Sequence, residues 1–422
     1  MKTQSPLTTL RELALVAAFA LAVVSPLGAQ NCPPFPNVDW SRTNVGFTPL
    51  NDLGSGFYQG QQGGLYPGGS TVRPPLHEET GVALARGIGP LDTNGVPDSN
   101  GSYVLLSIGI SNTKFIFDTF KPLGDADTAK HPRLVIVNGA DPGAGLDNVT
   151  PDSPYWNVVA QRLASAGVTS NQVSVVWIKM RAFRATFPTG AIQLQNALSN
   201  VVQILHDKFP NLRLAYFASR GYAGYSTDTK NPEPYSYESG FGVKWLIETQ
   251  LNGDPALNFD PARGSVRAPW MAWGPYYWAD GLVPRSDGLT WTCEDFIRSD
   301  GGDTDGIHYG DTGRAKIAGL LLNFFKTDTT AREWFLADWA ITPVAIVQAG
   351  FNAASGEFNL TWVASPGGKY QVQHSPDLVT WTNVGLSLTA ATDILTWVDD
   401  GTQTGTPPAE VTRRFYRVQP AP

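Results

Sequence analysis

Apolar residues follow two rhythms along this chain, and the change from one to the other divides it. Between about residues 104 and 325, short unbroken apolar runs alternate with longer stretches of helical spacing. The runs VLLSI from Val104, LVIV from Leu134, VSVVWI from Val173 and LRLAYF from Leu212 have strand length, and near-continuous apolarity marks strands buried on both faces. Helical spacing covers Pro154–Ala166, Ala191–Phe209, Phe241–Glu248 and Thr312–Phe325, with a fifth strand or its exit over Pro269–Trp278. Such alternation predicts a parallel sheet joined by right-handed crossovers. Near Thr342 the period drops to two: FNLTW, YQVQHS, VTWTNVG, ILTWVDD and RFYRVQ are short alternating runs, which predict a small antiparallel β-sandwich from about residue 343 to the end.

Two stretches fit neither rhythm. Asn31–Ser102 is dense in Gly, Pro and Asn and reads as a wrapping segment of loops or a few short strands, with Tyr58 and Tyr66 either lining a cleft or lying on the surface. Residues 1–30 place Lys2 and Arg11 around the start of a short apolar segment, Leu13–Val24, followed by Pro26, Leu27, Gly28 and Ala29. This is the pattern of a secretory signal removed on export, and no other segment is long and apolar enough to span a membrane.

Composition narrows the picture. At 422 residues the chain accommodates one large domain, expected over residues 31–342, and a small one over 343–422. Only 16% of residues are charged, the net charge is −7, and no Lys/Arg cluster exists to grip phosphates, which excludes nucleic acid as a partner. Two cysteines, Cys32 and Cys293, are expected to pair in an oxidising compartment, with two free thiols as the alternative.

The candidate chemistry begins at Ser111, which stands just past the carboxyl end of the Val104 run, where open α/β sheets hold their ligands. Nearly two hundred residues on, Asp305 and His308 stand three apart before an apolar helix, a spacing that lets the carboxylate orient the imidazole toward the serine. His77, His131, His206 and His374 have no such neighbour. The order Gly109-Ile110-Ser111-Asn112, then Asn138-Gly139, then Asp305-Gly306-Ile307-His308 resembles the SGNH (GDSL-like) hydrolases, carbohydrate O-acetylesterases in particular, over roughly Gly101 to Phe325.

The resemblance implies a flavodoxin-like three-layer α/β fold with helices on both faces of a parallel sheet. It also implies a serine esterase acting on acylated, chiefly acetylated, carbohydrate without cofactor or metal. In that reading Ser111 is the nucleophile, His308 the general base and acid, and Asp305 the residue that holds the imidazole. The amides of Ser111 and Gly139 would receive the oxyanion. The family's usual Asn after the third strand is replaced by Lys179-Met180-Arg181-Ala182, so Asn112 or a neighbouring backbone amide is the candidate substitute. Trp273, Tyr276 and Tyr277, with Trp278, are candidates for a sugar platform. Arg220 and Lys244 read as surface or supporting charges. The acidic run Ser299–Gly306 lacks calcium-loop spacing. The C-terminal strands resemble fibronectin-like modules of secreted bacterial enzymes, serving as spacer, sorting or glycan-binding element through Trp381. Because Ile110 and the missing Asn depart from the family pattern, the alternative is a catalytically inactive glycan-binding or cell-surface protein that keeps the fold.

Overall fold

A computed structural model describes residues 30–144, 149–230, 232–337, 344, 346–364, 367–378 and 380–420. The signal expected over residues 1–30 lies, but for Gln30, outside the described residues, and so does Thr342. Among the described residues, no helix is long and apolar enough to cross a membrane.

The apolar runs form one parallel sheet. Its strands are β1 (Tyr103–Gly109), β2 (Leu134–Asn138), β3 (Val173–Lys179), β4 (Leu214–Phe217) and β5 (Trp270–Trp273), in the spatial order β2-β1-β3-β4-β5. Every residue of β1, β3, β4 and β5 is buried, as two-sided coverage requires. The helices are α1 (Pro75–Arg86), α2 (Ser111–Asp125), α3 (Tyr155–Ser165), α4 (Thr189–Lys208), α5 (Tyr235–Leu251) and α6 (Asp311–Thr327). α2 packs against α6 and α4 against α5, giving the expected flavodoxin-like layers. Trp177 of β3 stacks on Phe117 of α2 at 5.3 Å, and Phe120 meets Phe325 of α6 at 5.4 Å. The strand order reverses between β1 and β3, and a crevice at the carboxyl ends of the strands opens at such a switch point.

Some expectations change. The stretch 31–102 contains α1, which the apolar pattern missed because its buried face is His77, Gly81 and Ala85, a row of small or polar residues. A Cβ on Gly81 would lie 2.4 Å from the Trp270 ring, and His77 stacks on that ring at 4.6 Å, so the small face lets the helix approach β5. Tyr66 is buried, and half-buried Tyr58 donates to Glu238 at 2.9 Å and packs on Phe241, so these two residues wedge the wrapping segment onto the core. Lys244 and Arg220 are not surface charges. Both are buried, and Lys244 Nζ donates to the carbonyls of Gln62 and Gly63 at 2.7 and 2.8 Å, which pins the same segment to α5.

The C-terminal strands form two antiparallel sheets. β6 (Ile346–Asn352), β7 (Glu357–Val363) and β9 (Ile394–Asp399) make one, in the order β9-β7-β6. β8 (Lys369–Ser375) pairs with β10 (Phe415–Pro420) in the other. Leu360, Trp362, Val372, Trp397 and Val418 form a core of their own, as the alternating runs predicted for a sandwich.

Cys32 and Cys293 are joined, closing a span of 261 residues. Replacing both by serine is expected to cost about 2–5 kcal/mol, read from urea unfolding of the oxidised and substituted chains. The buried core of the α/β unit contains no residue beyond Phe335, and that of the sandwich none before Leu360. A chain cut after residue 342 is therefore expected to unfold in one cooperative transition, with Tm within about 3 °C of the α/β transition of the full chain. An insoluble or non-cooperative product would show that the strands beyond 343 complete the first core.

Candidate active site

β1 ends at Gly109, where a side chain has no room: a Cβ would lie 2.2 Å from Thr113 Oγ1 and 2.3 Å from the Lys179 carbonyl. Ile110 is extended, and Ser111 opens α2. The first intrahelical bond runs from the Lys114 amide to the Ile110 carbonyl, at 2.9 Å. The amides of Ser111, Asn112 and Thr113 therefore fall in the first turn, ahead of any i−4 partner, at the positive end of the helix dipole.

The second segment is Asp305–Tyr309, just before α6. Gly306 takes φ +69° against the Tyr225–Ser226 backbone, a conformation and a closeness that favour glycine. Asp305 Oδ1 accepts the amides of Ile307 and His308 at 3.0 and 2.8 Å, and Oδ2 lies 2.8 Å from His308 Nδ1. His308 Nε2 lies 2.9 Å from Ser111 Oγ. With the Nδ1 proton donated to Asp305, Nε2 is left to accept the serine hydroxyl. Burial pushes the Asp305 carboxyl upward, but hydrogen bonds from the His308 ring, the imidazole charge and the two amides outweigh it and hold the group well below the usual carboxylate range. Asp305 is buried, while Ser111 and His308 stay partly open to solvent.

The other candidates are placed differently. Asn112 does not face an oxyanion: its Nδ2 donates to the Ile307 carbonyl at 3.0 Å, and its Oδ1 accepts the Tyr309 amide at 3.4 Å. It clamps the histidine segment to the serine helix. The Gly139 amide is also engaged, donating to Ser107 Oγ at 3.2 Å, while Ser107 donates to Asn138 Oδ1 at 2.9 Å. Glycine is needed there because a Cβ would lie 2.5 Å from the Ser107 carbonyl. The aromatic platform is corrected as well, since Trp273, Tyr276, Tyr277 and Trp278 are all core residues, at most 6% exposed. Trp273 Nε1 donates to the Leu65 carbonyl at 2.8 Å, and the Tyr276 hydroxyl accepts the Leu50 amide at 3.2 Å. β5 ends at Trp273, the Gly274 amide still donates to the Phe217 carbonyl of β4 at 2.8 Å, and residues 276–281 beyond it are buried.

Phe115 went unnoticed. One turn along α2 from Ser111, it meets the edge of the His308 ring at 6.0 Å, while Arg298 and Arg314 lie over its ring at 4.8 and 4.6 Å. Asp300 accepts from both arginines, at 2.9 Å from Arg298 Nε and 2.9 Å from Arg314 Nη2. The acidic run thus supplies Asp305 to the imidazole and Asp300 to its aromatic support. The four-residue spacing from Ser111 to Phe115 was the available signal. Among the described residues, no group of three or more His, Cys, Asp and Glu is arranged to hold a metal.

No protein-family model matches the chain, and no curated protein matches it. Solved structures similar to it include an acylhydrolase candidate from Bacteroides fragilis, at 12% identity over 62% of this chain and 100% of that one, with a TM-score of 0.31. The periplasmic domain of a lipopolysaccharide acetyltransferase from Salmonella ser. Paratyphi A is similar at 15% identity over 59% of this chain and 94% of that one, with a TM-score of 0.28. A protein from Arabidopsis thaliana is similar at 11% identity over 50% of this chain and 67% of that one, with a TM-score of 0.25. Overlaps this loose assign no activity, so the geometry of the site carries the reading.

Asn112→Ala removes both side-chain bonds between α2 and the 307–309 segment, loosening His308 relative to Ser111 without substituting either. If the protein turns over an ester, kcat is expected to fall about tenfold with KM changed less than about twofold, because a misplaced base slows reaction more than binding. Equal changes in kcat and KM would show that the clamp shapes the binding surface instead.

Proposed function

We propose that this chain is a serine esterase of SGNH type that removes acyl groups, acetyl foremost, from carbohydrate outside the cytoplasm. The observation that carries the proposal is the continuous hydrogen-bonded row from Ser111 Oγ through His308 to Asp305 at 2.9 and 2.8 Å, opening onto the first turn of α2.

In this reading Ser111 Oγ attacks the ester carbonyl as its proton passes to His308 Nε2. Ionised Asp305 stabilises the imidazolium that forms and fixes its orientation. Negative charge builds on the carbonyl oxygen, and the first-turn amides of Ser111 and Asn112 are the donors best placed to receive it, since Gly139 is committed to Ser107. Collapse breaks the ester bond, His308 gives its proton to the departing sugar hydroxyl, and an acyl-serine remains. Water deprotonated by His308 then releases the carboxylic acid and restores the serine. The leader over residues 1–30 would direct export, and the strands from about 343 would act as a spacer or sorting module. A second reading, an inactive glycan-binding protein of the same fold, draws on Gly139 and Asn112 both being engaged elsewhere.

Alanine at Ser111 or His308 is expected to lower hydrolysis of an acetyl ester by about a thousandfold or more, with Asp305→Ala costing somewhat less because it orients rather than reacts. A fluorophosphonate probe should label Ser111 in the wild type and label His308→Ala far more slowly. Absence of both turnover on acetylated polysaccharides and labelling would favour the binding-protein reading.

A further inference from the structure

The stretch from residue 30 to 42 and the segment that follows β4 lock together at Tyr225, whose side chain is fully buried. Its hydroxyl donates to the Trp291 carbonyl at 2.6 Å and accepts Gln30 Nε2 at 2.9 Å, and its ring meets Trp40 edge to face at 5.3 Å. The backbone on either side is held by the same stretch. The Asp39 amide donates to the Tyr225 carbonyl at 2.8 Å, the Thr227 amide to the Asn37 carbonyl at 2.9 Å, and Arg42 Nη1 to the Ser226 carbonyl at 2.8 Å. Residues 30–42 thus form a strap across 225–227. Cys32 anchors the strap to Cys293, and Gln30 Oε1 accepts the Cys293 amide beside that bond.

The strapped segment supports the histidine segment at two places. A Cβ on Gly306 would lie 2.8 Å from the Ser226 nitrogen and 3.0 Å from the Tyr225 carbonyl carbon, so the 225–226 backbone is the wall against which the chain bends between Asp305 and His308. On the other side of His308, Tyr309 is seated on aromatic groups that Tyr225 holds. The Tyr225 ring packs on Phe296 at 5.5 Å and Phe296 stacks on Tyr309 at 5.3 Å, while Trp291, bonded through its carbonyl to Tyr225, lies 5.0 Å from the Tyr309 ring. A close-packed interior passes displacement on, and a general base must keep hydrogen-bond reach of its serine, so a shift of either support is felt at His308 Nε2.

We propose that Tyr225 is a positioning residue for His308, and that the Cys32–Cys293 bond, by keeping the strap on Tyr225, holds the imidazole where reaction with Ser111 needs it. The proposal rests on the esterase reading and adds to it a dependence of turnover on a bond that touches no reacting atom.

Opening that bond tests the proposal. Dithiothreitol gives it two electrons and two protons, leaving two cysteine thiols and the cyclic disulfide of the reagent, and Cys32 is partly exposed to attack. With opening checked by thiol titration, and below the Tm of the reduced chain, kcat on an acetyl ester is expected to fall about fivefold with KM changed less than about twofold. Reoxidation should restore it. Tyr225→Phe keeps the ring and loses both hydroxyl bonds; in the oxidised chain it should lower kcat about threefold, and opening the bond should then cost less than in the wild type, because both act on one support. Unchanged kcat in the reduced wild type and in Tyr225→Phe would overturn the proposal and leave the esterase reading standing. If the wild type neither hydrolyses esters nor takes up a fluorophosphonate, the esterase reading has failed, and positioning is read instead from the downfield proton resonance of His308 Nδ1–H on Asp305. Broadening or loss of that resonance on opening the bond supports the proposal, and an unchanged resonance overturns it.

Discussion

The closeness with which the end of β1 meets β3 and α2 governs everything at the site. The approach leaves Gly109 no volume for a side chain, and it is what lets Thr113 reach the Lys179 carbonyl across the strand boundary. The first turn of α2 is thereby fastened to the neighbouring strand, which fixes the backbone that carries Ser111. The histidine segment is fastened in turn to that turn through Asn112, and it bends at Gly306 against the 225–226 backbone. A three-residue row drawn from two ends of the chain is thus over-determined by contacts that touch none of its reacting atoms.

The parts of the fold legible in the sequence were those whose burial is written in one dimension. A strand covered on both faces must be apolar at successive positions, so β1 to β4 stood out. Ser111, Asp305 and His308 stood out because the first ends such a strand and the other two share a turn. What stayed hidden depended on partners. α1 buries a row of His77, Gly81 and Ala85, which carries no apolar period. Trp273, Tyr276 and Tyr277 look the same in sequence whether they face sugar or core. Whether the Gly139 amide or the Asn112 side chain is free to meet a ligand depends on Ser107, Ile307 and Tyr309, and no local pattern records those pairings.

Charge is sparse in this chain, and part of it ties distant elements together. Arg73 is held between Glu78 and Asp328, Lys244 holds two carbonyls of the wrapping segment, and Asp300 gathers Arg298 and Arg314 around Phe115. In each case a long side chain ties together elements far apart in sequence, a task that apolar contacts perform with less directional control.

The bond between Cys32 and Cys293 also bears on how the molecule is made. During synthesis Cys32 emerges 261 residues before its partner, so its thiol stays unpaired until the α/β sheet has all its strands. With no other cysteine in the chain, there is only one intramolecular pairing to find, and no wrong pair to undo. Closure therefore cannot steer the early chain. It records that the first described residues have reached the ground beside the Asp305–His308 segment, and so acts as a seal on assembly rather than a guide to it.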